Sequence, residues 1–152
     1  MKGEPGIQIN AKQTILLIED NPDILENLTE FLEMEGYKIF AANNGKRGLE
    51  LAAEYIPDLI ISDVLMREMD GYEVLRLLLA TTKTHEIPFI FSTSMSEKVD
   101  RTEAMKLGAA DYIIKPFELK TLLKMVKDCL QSRMKKNDEK IHNTSIFPHS
   151  QN

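Results

Sequence analysis
Apolar positions along this chain alternate between two spacings. Unbroken runs at Ile15-Leu16-Leu17-Ile18, Leu59-Ile60-Ile61, Phe89-Ile90-Phe91 and Tyr112-Ile113-Ile114 read as strands covered on both faces, with a weaker strand at 37–42. Between the runs, apolar residues recur every three or four positions, the helical spacing. Ile24, Leu25, Leu28, Phe31 and Leu32 predict a first helix, opened by Asn21-Pro22 and closed by Gly36. A second helix is expected over 45–54 with Leu49, Ala52 and Ala53 turned inward, and a third over 72–80 after the Asp70-Gly71 turn. Ser94 and Glu97 have capping-box spacing for a fourth, over 97–107, that ends near Gly108. The last, over 118–131, carries Leu119, Leu122, Leu123, Val126, Cys129 and Leu130 on a broad apolar face, with Met125 off it as a candidate partner contact.

Five strand–helix pairs in strict alternation imply parallel pairing through right-handed crossovers, hence an α/β three-layer doubly wound sandwich. Five units are too few for an eight-stranded barrel. Residues 1–13 lack pattern and read as a flexible leader, 14–131 as one domain, and 132–152 as a helix end running into a disordered tail.

Composition removes several classes of function. The 152 residues fit one domain, and 43% hydrophobic with 28% charged content excludes wholesale disorder. A net charge of −5 gives no general attraction to nucleic acid or anionic membrane. No apolar stretch approaches the ~18 residues of a membrane span, and the first ten residues lack a signal-peptide core. A single cysteine, Cys129, forbids an intramolecular disulfide and fits a reducing, cytoplasmic setting.

The strand ends carry the candidate chemistry. The runs lead into Glu19-Asp20, Asp63, Thr93 and Lys115. In an open α/β sheet, ligands bind beyond the carboxyl ends of the strands, so these side chains should share one crevice. Three carboxylates there need a counterion, because two unit charges ~4 Å apart interact by about 4 kcal/mol near a surface. An all-oxygen site of this kind suits Mg²⁺, with Mn²⁺ as substitute. An aspartate can attack phosphorus and hold a phosphoryl group covalently. Asp63 is the natural acceptor because its strand should be central, while Lys115 and Thr93 can hold phosphoryl oxygens.

Taken in order, Ile-Glu-Asp-Asn at 18–21, Ser-Asp-Val-Leu-Met at 62–66, Met-Asp-Gly at 69–71, Ser-Thr-Ser at 92–94 and Gly-Ala-Ala-Asp-Tyr-Ile-Ile-Lys-Pro-Phe at 108–117 make the chain resemble the receiver domain of two-component response regulators, over residues 14–131. The resemblance implies the flavodoxin-like strand order 2-1-3-4-5, which the family's chemotaxis members share. It implies that Asp63 is the phospho-acceptor, charged by a histidine kinase or histidine phosphotransfer protein. Asp20, Asp63 and the Leu65 backbone carbonyl would ligate the metal, with Glu19 acting mainly through a water. Thr93 and Tyr112 would form the switch, and the Lys115–Pro116 peptide would be cis. The helix 4–strand 5–helix 5 face would address a downstream target or output domain and is a candidate homodimer contact. Neither nucleic acid nor membrane is an expected direct partner.

Several positions depart from the family pattern. Glu19 stands for a commoner aspartate, Arg67 for a common proline and Ser94 for alanine. Leu65 and Met95, two residues after Asp63 and Thr93, are both apolar and cannot orient an attacking water, so the phosphoryl group should be lost slowly. Leu65 also argues against an aspartyl-phosphate phosphatase, which would need an acid there. The expected protein is therefore not an enzyme beyond assisting its own phosphorylation and dephosphorylation. The acidic Glu19-Asp20 loop would repel the phosphate of a flavin cofactor, and the intact acid set argues against a phosphorylation-independent scaffold. His85, His142 and His149 have no ligand spacing, Cys129 reads as a packing residue, and the mixed charges of 135–140 as a solvated surface.

Overall fold
A computed structural model describes residues 11–94 and 101–146. Five strands, β1 (Thr14–Ile18), β2 (Lys38–Ala42), β3 (Leu59–Asp63), β4 (Phe89–Ser94) and β5 (Asp111–Lys115), alternate with helices α1 (Pro22–Met34), α2 (Gly45–Tyr55), α3 (Gly71–Leu79), α4 (Arg101–Lys106) and α5 (Leu119–Ile146). The sheet order is β2-β1-β3-β4-β5 and all four pairings are parallel. This is the flavodoxin-like doubly wound arrangement.

Strand parity builds the three layers. Ile15, Leu17, Leu59, Ile61, Ile90 and Ile113 point to one face, where Leu28 and Leu32 of α1 and Leu122, Val126 and Leu130 of α5 cover them. Leu16, Ile18, Ile60, Phe89 and Phe91 point to the other, against α2, α3 and Ala104 of α4. Strands buried on both faces must be apolar throughout, which is why the inner strands β1, β3 and β4 lack polar alternation until their last residues. The edge strands β2 and β5 are only partly buried.

Caps set the helix ends close to the predicted positions. The Asn21 side chain accepts from the backbone N–H of Asp23 and Ile24, with Pro22 in the first turn, and Gly36 at φ +101° follows the α1 C-cap. Asp70 caps α3 by accepting from Glu73 N–H at 2.9 Å. Gly108, at φ +105°, lies just beyond α4. The proposed Ser94–Glu97 capping box and the start of the 97–107 helix involve positions 95–100, outside the described residues.

Three sequence expectations need correction. Ala53 is exposed; the buried face of α2 is Gly45, Gly48, Leu51 and Ala52, which places Ala53 about 100° round the helix from Ala52. Met125 is not off the core: it is partly buried against the α1–α5 cluster, whereas Leu119 is exposed. Most substantially, α5 does not end at Gln131 but runs 28 residues to Ile146, about 42 Å, taking in the expected helix end and the start of the tail expected beyond it. Residues 131–140 are rich in strong helix formers, whose polarity resembles a tail although their propensity does not. The stripe that carries Leu122, Val126 and Leu130 continues as Arg133, which donates to the Asp58 carbonyl at 3.1 Å, and Lys140, which holds Glu86 at 2.7 and 2.6 Å.

Candidate functional site
The sheet turns over at β1. The chain goes from β1 outward to β2, then returns to the other side of β1 at β3. At such a switch point the two crossover helices leave in opposite directions and open a crevice beyond the strand ends. Glu19 and Asp20 follow β1, and Asp63 is the last residue of β3. One carboxylate oxygen from each lies within 4.8 Å of the others. Glu19 and Asp63 are buried and Asp20 is half-buried.

Lys115, the last residue of β5, reaches into this cluster. Its Nζ lies 2.9 Å from Glu19 Oε1 and 3.0 Å from Asp63 Oδ1. Burial alone would lower the ammonium pKa, but hydrogen bonds to Glu19 and Asp63 and the charges of both carboxylates outweigh it, and the net shift is upward. Glu19 is engaged on its second oxygen too: Oε2 accepts from the Asn21 backbone N–H at 3.1 Å. Both Glu19 oxygens thus have protein donors. The β1 end is drawn tight because Asn21 also caps α1.

The remaining predicted residues divide. Asp63 is opposite Ser92 in the β3–β4 register, so Thr93 stands one residue beyond it. Thr93 is buried, and its hydroxyl donates to the Ser94 carbonyl at a long 3.4 Å rather than into the acids. Tyr112 lies opposite Phe91 on β5, partly buried against the α4-side cluster. The Lys115–Pro116 peptide is cis. Leu65 has its side chain exposed in the β3–α3 loop, where Glu68 has a positive φ of 68°. Arg67, in the same loop, is exposed.

Sequence reading missed two parts of this region. Gly71, the first residue of α3, sits so close to β3 that a Cβ would meet the Asp63 carbonyl oxygen at 2.3 Å, so the Asp-Gly pair is a close-approach motif as well as a turn. Arg101 of α4 pairs with Asp111 Oδ1 at 2.7 Å, and its guanidinium lies 5.9 Å from the centre of the Tyr112 ring. The glycine had a readable signal in its place after Asp70. The arginine had none, because its partners are set by how α4 packs on β5.

A groove of about 880 Å³ opens at the opposite end of the sheet, lined by Pro88, Gly108, Cys129 and Lys136 among others, and it shares no residue with the acids. Three hard oxygen donors converging beside one ammonium could hold a metal ion.

The family description "Response regulator receiver domain" matches residues 15–127. This chain belongs to that family. The receiver is 34% identical over 116 residues to protein PilH of Pseudomonas aeruginosa, covering 76% of this chain and 96% of that protein. It is 39% identical over 132 residues to histidine kinase P4 of Formosa agariphila, covering 87% of this chain but 10% of the kinase. It is 38% identical over 124 residues to a Vibrio cholerae protein named a probable cyclic di-GMP phosphodiesterase, covering 82% of this chain and 28% of that one. The chain therefore spans a small part of two of these relatives and nearly all of the third. Among solved structures, the receiver domain of a signal transduction histidine kinase from Syntrophus aciditrophicus has a TM-score of 0.72 at 38% identity, over 79% of this chain and 91% of that one. Vibrio cholerae chemotaxis protein CheY4 has a TM-score of 0.73 at 28% identity, over 78% and 99%. No helix among the described residues is long and apolar enough to cross a membrane.

Proposed function
We propose that this receiver is a phospho-accepting switch, and that Asp63 takes the phosphoryl group of a histidine kinase or histidine phosphotransfer protein. The observation that carries the reading is the position of Lys115 Nζ between Glu19 and Asp63, with Asp20 completing the acid cluster. A phosphoryl group on Asp63 would meet a cation already in place, and phosphoryl transfer depends on such positioning and charge neutralisation more than on covalent machinery. An Asp63 carboxylate oxygen attacks the phosphorus of the donor phosphohistidine. The O–P bond forms, the P–N bond breaks, and the departing imidazole takes up a proton.

The donor set fits Mg²⁺, with Mn²⁺ as substitute: Asp20, Asp63 and the Leu65 carbonyl would hold it, with Glu19 acting through a water. When bound, the ion neutralises charge that builds on the phosphoryl oxygens. Lys115 then pairs with one phosphoryl oxygen, and Thr93 turns its hydroxyl from Ser94 to another. Phosphorylation adds about −1.5 to −2 charges. The new pairings favour a conformer in which Thr93, Tyr112 and the α4–β5–α5 face are repositioned, a population shift that needs about 5.5 kcal/mol of differential stabilisation to go from 1:99 to 99:1. That face addresses a downstream protein or output domain and is a candidate homodimer contact. The work is a single self-directed transfer, not turnover of a separate substrate. The apolar, exposed Leu65 supports slow loss of the group; its counterpart in that argument, Met95, is outside the described residues. A cytoplasmic setting accords with the one free cysteine.

The test is intact-mass measurement after incubation with acetyl phosphate. One phosphoryl group should add in Mg²⁺, none after chelation, and none in Asp63→Asn. Equal labelling of that variant would overturn the assignment, and absence of labelling from any donor in the wild type would favour a phosphorylation-independent scaffold.

A further inference from the structure
We propose that Arg101 is a positioning residue: it fastens Tyr112, and through it the contact of α4 with β5, in the unswitched arrangement. This inference rests on the phospho-switch reading above. Arg101 Nη2 lies 2.7 Å from Asp111 Oδ1, and the same oxygen accepts the Tyr112 backbone N–H at 2.9 Å. One carboxylate oxygen thus ties together the guanidinium and the strand that carries the ring. The guanidinium carbon is 5.9 Å from the Tyr112 ring centroid, within cation–π range. Asp111 is the anchored member, with its side chain 20% exposed against 59% for Arg101. One turn along α4, Ala104 is wholly buried in the cluster against which Tyr112 packs. Tyr112 is therefore engaged on its outer side by Arg101 while its ring meets the core on the other.

We assign this conformer to the unswitched state from two contacts. Lys115 faces Glu19 and Asp63, and the Thr93 hydroxyl faces the Ser94 carbonyl. Tyr112 precedes by two positions the β5 residue paired with Thr93. If Tyr112 moves when Thr93 moves, the Arg101 stack must be given up. A lysine could keep the ion pair with Asp111 but not the planar stack. One exposed cation–π contact and one exposed ion pair together bias such an equilibrium by about three- to tenfold.

The full chain is titrated with beryllofluoride in saturating Mg²⁺, and the Tyr112 ring resonances are followed by NMR. Arg101→Ala is expected to lower the half-saturating beryllofluoride concentration about three- to tenfold and to move the ring resonances of the unloaded protein toward their loaded positions. Asp111→Asn, which leaves α4 untouched, should act in the same direction. Arg101→Lys should recover part of the wild-type midpoint but not the ring resonances. In a Tyr112→Ala background, Arg101→Ala should have no further effect, which a merely structural role would not predict. A midpoint within twofold of wild type for Arg101→Ala, a shift to weaker binding, or the same shift with Tyr112 absent would overturn the proposal. Failure of the wild type to take up beryllofluoride would instead overturn the switch reading, a result distinct from normal uptake with an indifferent Arg101.

Discussion

Gly71→Ala tests whether the acceptor strand and α3 are fitted as closely as the structure indicates. Gly71 N–H donates to the Val64 carbonyl at 2.8 Å, which pulls the first turn of α3 onto the end of β3. A Cβ at this position would sit 2.3 Å from the Asp63 carbonyl oxygen, 3.1 Å from Val64 Cα and 3.2 Å from Asp63 C, where ordinary contact begins at 3.4 Å. About 1 Å of separation must be found, and all three neighbours are backbone atoms that cannot rotate aside. Overpacking of this kind typically costs about 1–3 kcal/mol. Alanine's better helix propensity returns at most ~1 kcal/mol, and less in a first turn. The net expectation is a loss of about 0.5–3 kcal/mol in urea unfolding followed by circular dichroism. The displaced atoms belong to Asp63, the proposed acceptor, and a 1 Å misplacement can cost on the order of a hundredfold in rate, so acetyl-phosphate labelling should slow by about 10–100-fold. Gly48→Ala is the comparator. Its Cβ would meet Ile18 Cδ1 at 2.4 Å and Cγ1 at 2.9 Å, side-chain atoms of a fully buried residue and not backbone of Asp63. It should also lower stability, but with much less effect on the labelling rate. If Gly71→Ala unfolds within 0.5 kcal/mol of wild type and labels at the same rate, the reasoning from close approach is wrong.

Four further outcomes are expected. Lys115→Met removes the ammonium between Glu19 and Asp63, so the variant should lose about 1–3 kcal/mol in metal-free buffer and regain more of it on adding Mg²⁺ than the wild type gains; equal Mg²⁺ responses in urea unfolding would refute the charge argument. Burial, with smaller contributions from Asp111 and Asp128, raises the Cys129 thiol from 9.0 to about 11, so at pH 8 the folded protein should react with iodoacetamide on the order of a hundredfold more slowly than the unfolded chain. The same shift makes stability fall as pH rises from 9 toward about 11, because the unfolded thiol ionises first. Deleting residues 132–152 removes the Lys140–Glu86 pair and the Arg133 contact, both near the surface, and should leave the urea midpoint close to that of the full chain; a clear fall in the midpoint would make the α5 extension part of the folding unit.

What was legible in the sequence follows from what burial does to a strand. An inner strand of a doubly wound sheet must be apolar on both faces, so β1, β3 and β4 stand out as unbroken runs, and polar residues follow each run at its carboxyl end, at Glu19, Ser62-Asp63 and Ser92-Thr93, all of them still buried. Glu19, Asp63, Thr93 and Lys115 could therefore be placed at one end of one sheet from the order of the runs alone, because parallel pairing puts every carboxyl end on the same side. Asn21, Gly36 and Asp70 were legible for a different reason: caps answer local backbone geometry, and their partners lie within a few residues.

The parts that escaped depend on contacts between distant positions. Propensity alone could have carried α5 past Gln131, but a polar run of Lys, Arg, Asp and Glu reads equally well as a solvated tail until Arg133 is seen against Asp58 and Lys140 against Glu86. Met125 was assigned to the wrong side because helical spacing gives the centre of a buried face and not its width, and the width is set by how α5 lies on β3 and α1. Thr93 was placed at the strand end by its run, whereas the direction of its hydroxyl, toward the Ser94 carbonyl at a long 3.4 Å, is something no spacing encodes. The acids, the ammonium and the strand ends are therefore fixed by the topology, whereas the direction of Thr93 and the Arg101 stack on Tyr112 are set by packing that can differ between two conformers. A switch needs both kinds of residue, and the second is the kind that a single sequence leaves unmarked.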